Sequence, residues 1–321
     1  MKLRLALLPL AAVAATASSP PPVPAEVEET RGTVLDYGRD RSERMTVPVS
    51  IGGRGPYAFI VDTGAERTAI AEELAEDLKL GLGTRARLHS MTEVSRIQTV
   101  LIPALEVGGR SIRGINAPAL ERRHIGAEGI LGVDTLQTQR VSFDFARQQM
   151  TLTPSRKREE VWPDDTIVIT AKNRLGHLVL VDASVDGQKV WVILDTGAET
   201  TVANSVLRRK LEKRGRIEHS WPIELQSVTG GRMAADQSMM RRIRLGGVDI
   251  NNLPVAFADV HPFRKLGLTK RPALLLGMDA LKLFERVSVD FPNRRVRLLP
   301  PGSAERTGTR LARSERTRPA G

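Results

Sequence analysis

A chain of 321 residues that is 41% hydrophobic is long enough for two ordinary domains, and with only 4% aromatic residues their cores must be built from Val, Ile and Leu. Cysteine is absent, which excludes disulfides, thiolate metal sites, a cysteine nucleophile and the acylated cysteine of a lipoprotein anchor. The net charge is +11, yet the arginines are spread along the chain without interleaved aromatics on one element. No nucleic-acid partner is expected, and the charge instead suits a loose association with an anionic cell envelope.

In chain order, Lys2 and Arg4 precede an apolar run from Leu5 to Ala15, and Ala15-Thr16-Ala17 is a small-x-small cleavage pattern. Residues 1–17 read as a secretory signal peptide, because the apolar run is short of the ~20 residues that span a bilayer. The protein is therefore expected to be exported, periplasmic or secreted. Residues 18–32 form a Pro-rich spacer, in which consecutive prolines fix φ and remove donors.

Short β-type runs begin near Thr33. Met45–Ile51, a turn at Gly52-Gly53-Arg54-Gly55 and Tyr57–Val61 predict a hairpin whose second strand ends at Asp62. Glu66–Leu80 has helical composition, with Ile70, Leu74 and Leu78 on one face. Leu88–Val107 alternates and stops at Gly108-Gly109. The apolar block Gly129-Ile130-Leu131-Gly132 precedes Val133–Leu136, and Val141–Phe145 with Gln149–Leu152 close a first unit, residues 33–153.

A charged linker, 154–165, leads to a second unit, 166–300, that repeats this order. Leu178–Val185, Asp186-Gly187 and Val190–Leu194 match the opening hairpin. Asp195-Thr196-Gly197-Ala198 matches Asp62-Thr63-Gly64-Ala65, and Leu245-Gly246-Gly247 matches Val107-Gly108-Gly109. Leu275-Leu276-Gly277-Met278-Asp279 matches Ile130–Asp134, and Val287–Phe291 matches Val141–Phe145. Residues 301–321, a basic tail with almost nothing apolar, are expected to be disordered and solubilising.

Asp-Thr-Gly in isolation is an ordinary turn. Two copies point to paired carboxylates, since like charges about 3 Å apart share one proton and so supply an acid and a base from identical residues. Gly64 and Gly197 are expected to let backbone N–H groups approach the acids and to adopt angles that a side chain forbids. Asp134 and Asp279 stand where short helices begin and are expected to be N-caps, while Asp144 and Asp290 are expected to make structural bonds. His89, His124, His177, His219 and His261 lack ligand spacing, so no metal is expected. Without a Gly-x-Ser-x-Gly elbow, P-loop or dinucleotide fingerprint, no cofactor is expected either.

These paired motifs resemble the retropepsin-like aspartic proteases, in the two-repeat single-chain form of bacterial exported proteins. The resemblance implies a mostly β fold of two homologous closed β lobes with short helices and the active site in the interlobe cleft. It also implies that the apolar-apolar-Gly strand threads beneath each Asp turn, and that Thr63 and Thr196 cross-bond to the opposite turn. Asp62 and Asp195 would be catalytic, supported by Thr63, Gly64, Ala65, Thr196, Gly197 and Ala198. Flap candidates are His89–Thr99, with Met91, Thr92 and Glu93, and Gln226–Gln237, with Val228, Thr229, Gly230 and Gly231. No Tyr lies in either, which departs from the pepsin pattern. Ala65 and Ala198 replace the hydroxyl residue usual in pepsin, and losing a donor to the charged form raises a carboxylate pKa, so activity at weakly acidic pH is expected. The implied function is an endopeptidase acting on peptide or protein substrates as a two-lobe monomer. The alternative is a non-catalytic peptide- or envelope-polymer-binding module on the same fold.

Overall fold

The computed structural model describes residues 33–39, 44–92, 94–155 and 162–302, all within one compact unit. The expected signal peptide, the spacer, all but the start of the basic tail and Glu93 fall outside the described residues.

The architecture is mostly β, in two repeated lobes. Met45–Ile51 turns through Gly52 and Gly53, both at positive φ, into Arg54–Val61. Arg54–Val61 pairs in parallel with Gly129–Leu131, which runs antiparallel to Ala69–Ala71. Ala69–Ala71 lies parallel to Arg110–Leu120, and Thr99–Val107 follows and returns to Met45–Ile51 through Ser50↔Glu106 and Ile51↔Leu105. Six strands thus close a barrel and leave no free edge within the ring. Phe59, Ile70, Ile102, Leu105 and Leu131 are fully buried within it.

The second lobe repeats the ring with Trp191–Leu194, Ala273–Leu276, Val202–Ala203, Val248–Phe257 and Arg232–Leu245. Its first strand is broken into His177–Leu180, paired with Trp191–Leu194, and Ala183–Val185, paired with Arg232–Leu245, so one bent segment carries the ring round. Between the lobes lies a six-stranded sheet in which Gln139–Asp144 pairs antiparallel with Arg286–Asp290. The pairing centres on Ser142↔Ser288, whose hydroxyls are 2.9 Å apart. Thr33–Asp36 and Gln149–Pro154 extend it on one side, Arg295–Leu299 and Ile167–Thr170 on the other. One apolar cluster, from Tyr37 to Leu298 in sequence, fills both lobes.

The helix expected over Glu66–Leu80 is only Glu72–Asp77. Ile70 is instead fully buried in the strand Ala69–Ala71. Closing the barrel requires a strand there between two others, and that pairing overrides the helical composition. Leu74 is buried and Leu78 packs on the core, as one face of a helix would place them.

Candidate active site

Each Asp turn is fixed from below by the apolar-Gly strand. The Asp62 amide donates to the Leu131 carbonyl and the Asp195 amide to the Leu276 carbonyl, both at 3.0 Å. Val133 N–H reaches the Ala65 carbonyl and Met278 N–H the Ala198 carbonyl, again identically at 2.8 Å. A Cβ on Gly132 would come within 2.4 Å of the Arg67 backbone, and one on Gly277 within 2.8 Å of the Thr200 backbone. Only glycine lets these strands pass so close to the turns.

Asp134 and Asp279 do not cap their helices: the N-cap positions are Gly132 and Gly277, with no side-chain cap bond. Asp134 Oδ1 accepts from Thr68 N–H at 2.9 Å and the Thr68 hydroxyl at 2.8 Å. Asp279 takes the same two bonds from Thr201, at 2.9 and 2.6 Å. Each acid sits inside the first helical turn, where it reaches the loop beyond the Asp turn and locks it down. Burial pushes both carboxyls above their ordinary range, against these bonds. Asp144 and Asp290 close tight turns, accepting the amides of Arg147 and Asn293.

The two Asp turns meet face to face. Thr63 N–H donates to the Thr196 hydroxyl oxygen at 3.0 Å, and Thr196 N–H to that of Thr63 at 3.2 Å. The Thr63 hydroxyl donates to the Leu194 carbonyl and the Thr196 hydroxyl to that of Val61, at 3.0 and 2.6 Å. All four bonds cross between lobes and are buried. Within each turn, Asp62 Oδ1 accepts from Gly64 and Ala65 N–H at 2.7 and 2.8 Å, and Asp195 Oδ1 from Gly197 and Ala198 at 2.9 and 3.1 Å.

Of the two reasons expected for the glycines, the first holds, since the Gly64 and Gly197 amides reach the acids, but the second does not, since neither residue has a positive φ. A Cβ on Gly64 would lie 2.4 Å from the Asp195 carboxyl, and one on Gly197 2.2 Å from that of Asp62. The missing side chain makes room for the opposite acid, and the two carboxyls interact directly. Burial raises the Asp62 pKa, opposed by the Gly64 and Ala65 amides and by the Arg44 charge. Asp195 is raised well above the ordinary value, first by burial and then by the charge of Asp62. The pair therefore holds a shared proton more tightly than free aspartates would.

Above the pair lies a cleft of about 670 Å³ lined by both lobes. Two hairpins cover it: Ala86–His89 with Val94–Ile97, and Trp221–Gln226 with the start of Arg232–Leu245. Their strands begin before the flap candidates, at Ala86 and Trp221, and Thr99 already belongs to the barrel. Met91, Thr92, Val228, Thr229, Gly230 and Gly231 form the tips. Ser90 and Thr92 hydroxyls approach to 3.5 Å and their repeat counterparts Ser227 and Thr229 to 3.0 Å. Each tip rests on the opposite lobe. Met91 accepts at its carbonyl from His261 N–H at 3.0 Å and packs against a C-lobe cluster that includes Phe263 and Leu266. Gly230 lies over the His124 ring, so closely that a Cβ would stand 2.6 Å from it.

Other cleft residues escaped the sequence reading. Arg44 and His177 occupy equivalent places before their aspartates. Arg44 donates to the Ile125 carbonyl, while His177 Nδ1 lies 3.2 Å from the Thr63 carbonyl and so carries the hydrogen there. Glu66 meets Lys265 at 2.7 Å and His177 Nε2 at 3.8 Å. Repeat alignment was the available signal: the spacing that separates Ser90 from Ser227 also separates His124 from His261.

A family model described as aspartyl protease matches residues 47–135 and 181–280, more than half the chain and once per lobe. The chain belongs to the aspartyl protease family. The duplicated match fits the retropepsin-like, two-repeat form, with each matched stretch running from the opening hairpin through the Asp turn to the apolar-Gly strand. No curated protein matches the chain. Among the described residues no cluster of three or more His, Cys, Asp or Glu side chains is arranged to hold a metal ion, and no helix is long and apolar enough to cross a membrane.

Proposed function

We propose that this aspartyl protease family member is an active endopeptidase with Asp62 and Asp195 as its catalytic pair. The observation that carries this reading is the direct contact of two carboxyls, locked by four interlobe threonine bonds beneath a two-flap cleft. Asp62, ionised, takes a proton from a water whose oxygen bonds to the scissile carbonyl carbon. Asp195 gives its proton to the carbonyl oxygen. The tetrahedral intermediate then collapses as Asp62 returns its proton to the amide nitrogen, the C–N bond breaks and Asp195 recovers a proton from the hydroxyl. Neither acid becomes covalently attached, so a hydroxyl that mimics the tetrahedral centre, as in pepstatin-type compounds, is the inhibitor chemistry to try.

The raised pKa of the pair and the absence of a hydroxyl at Ala65 and Ala198 both favour a weakly acidic optimum over one near pH 2. An exported two-lobe monomer, loosely held by an anionic envelope, is the setting that leader pattern and charge support. Casein digestion by wild type, Asp62→Asn and Asp195→Asn across pH 2–8 tests the reading. Wild type should cleave with its optimum above about pH 3, and each variant should lose at least about 10³-fold. Equal digestion by all three would refute the dyad, and uncleaved casein that still binds would favour the binding module.

A further inference from the structure

The chemistry at the aspartates is nearly two-fold symmetric, but a peptide is not, and the two halves of the cleft differ in charge. Arg67 and Arg87 line the N-lobe half, where the repeat places Thr200 and Glu224 in the C-lobe half. The acid following each Asp turn is also treated unequally. Glu66 is neutralised by Lys265, whereas Glu199 is exposed and forms no ion pair among the described residues.

A second observation concerns the N-lobe flap alone. Arg87 stands directly across the strands from Arg96, and both are exposed. Like charges facing each other on a hairpin are unfavourable, and among the described residues neither arginine has an acidic partner. On the other flap Glu224 faces Ala234, with Arg232 at 3.3 Å. Of the two arginines only Arg87 lines the cleft, so the first hairpin brings to its rim a positive charge without an acidic partner among the described residues, and the second does not.

Resting on the endopeptidase reading, we propose that the N-lobe half of the cleft is a subsite for an acidic side chain of the substrate, held by Arg87 from the flap and Arg67 from the floor. Its place along the substrate follows from strand geometry. Arg87 lies four residues before the tip residue Met91, or ~13 Å at ~3.3 Å per residue. An extended substrate advances by the same rise, so the selected acid is about three or four residues from the scissile bond. Selection falls on one side of that bond only, which makes the charge pair a reader of chain direction.

The test is a series of peptides built on one neutral, cleaved parent, with a single Asp or Lys at each of the four positions on either side of the scissile bond. Asp at the third or fourth position on one side should raise kcat/KM about fivefold, the scale of exposed ion pairs. Lys there should lower it, and salt near ~1 M should level the difference. The double variant Arg67→Glu, Arg87→Glu should invert the preference. Indifference to charge at every position, or equal gain from Asp on both sides, overturns the proposal while leaving the endopeptidase intact. If wild type cleaves no neutral parent, the endopeptidase reading falls, and binding of neutral peptides with and without a single Asp to the Asp62→Asn protein decides charge selection separately. Tighter binding of the Asp peptides supports the subsite, and equal binding overturns it.

Discussion

On the floor of the cleft the bonds between Thr68 and Asp134 recur between Thr201 and Asp279, whereas at the rim Arg87 occupies the place that Glu224 holds in the other lobe. The floor positions the two carboxyls through matching bonds in both lobes, so its two copies are held alike. The rim meets only whatever peptide is bound, so its two copies are free to diverge. Lys265 shows the same freedom: it sits in a stretch between His261 and Ala273 longer than the one between His124 and Gly129, and reaches across to Glu66. Symmetry marks what the reaction needs, and asymmetry marks what the ligand needs.

The sharpest way to break this comparison is to crowd one acid from either side. Gly64→Ala and Gly197→Ala each put a methyl within 2.4 Å of the opposing carboxyl. Both should lower kcat at least about 100-fold and by similar factors, since misplacement of about 1 Å suffices for such a loss. If one variant kept near-normal turnover, the two turns would not be functionally equivalent.

A smaller effect is expected beneath the turns. Asp134→Ala and Asp279→Ala leave the hydroxyl and amide of Thr68 or Thr201 without their acceptor. Each should cost about 2–3 kcal/mol in urea unfolding, the pair agreeing to about 0.5 kcal/mol. Disagreement beyond that would show that one lobe carries more of the stability.

The smallest effect concerns the aspartates themselves. The folded-state pKa of Asp195 is raised well above 3.8, so the folded protein binds that proton more tightly than the unfolded chain does. Wild type therefore loses stability as pH rises from the ordinary carboxylate range through the folded pKa. Asp195→Asn does not carry this loss. Melting temperatures should differ little near pH 3 and favour the variant by a few degrees at pH 7. Asp62→Asn should also gain at pH 7, because burial raises the Asp62 carboxyl too. No gain in either variant would mean that the folded protein does not hold the pair's proton more tightly than the unfolded chain does.

The repeated tetrapeptides and the apolar-Gly blocks were legible because they are contiguous and occur twice, and the lobes and the meeting of Asp62 with Asp195 follow from them. Residues with no local signature were not legible. Ile70 reads as one turn of an amphipathic helix, and only the need for a strand between Gly129–Leu131 and Arg110–Leu120 makes it β. Asp134 at a helix start looks like a cap until the fold brings Thr68 within 2.8 Å. Arg44, His124 and His261 are scattered singly, and their place in the cleft is set by long-range pairing. The second flap tip gave a Gly-Gly signal at Gly230-Gly231 and the first gave none, and the supports of both on the opposite lobe lie far away in sequence.

Those crossed supports bear on what can be a substrate at all. The lobes share one sheet through Ser142 and Ser288, while Met91 and Gly230 each rest on the far wall. With the floor joined and the roof latched on both sides, the cleft has the cross-section of a tunnel, and a tunnel admits a single extended chain but not a folded surface. On the proposed endopeptidase reading, a target protein must first expose a run of residues long enough to thread beneath both hairpins. Where that opening is fast relative to cleavage, the rate on a folded target contains the free energy of its local unfolding as a multiplicative factor. Frayed or damaged segments are then selected ahead of intact domains, whatever their sequence.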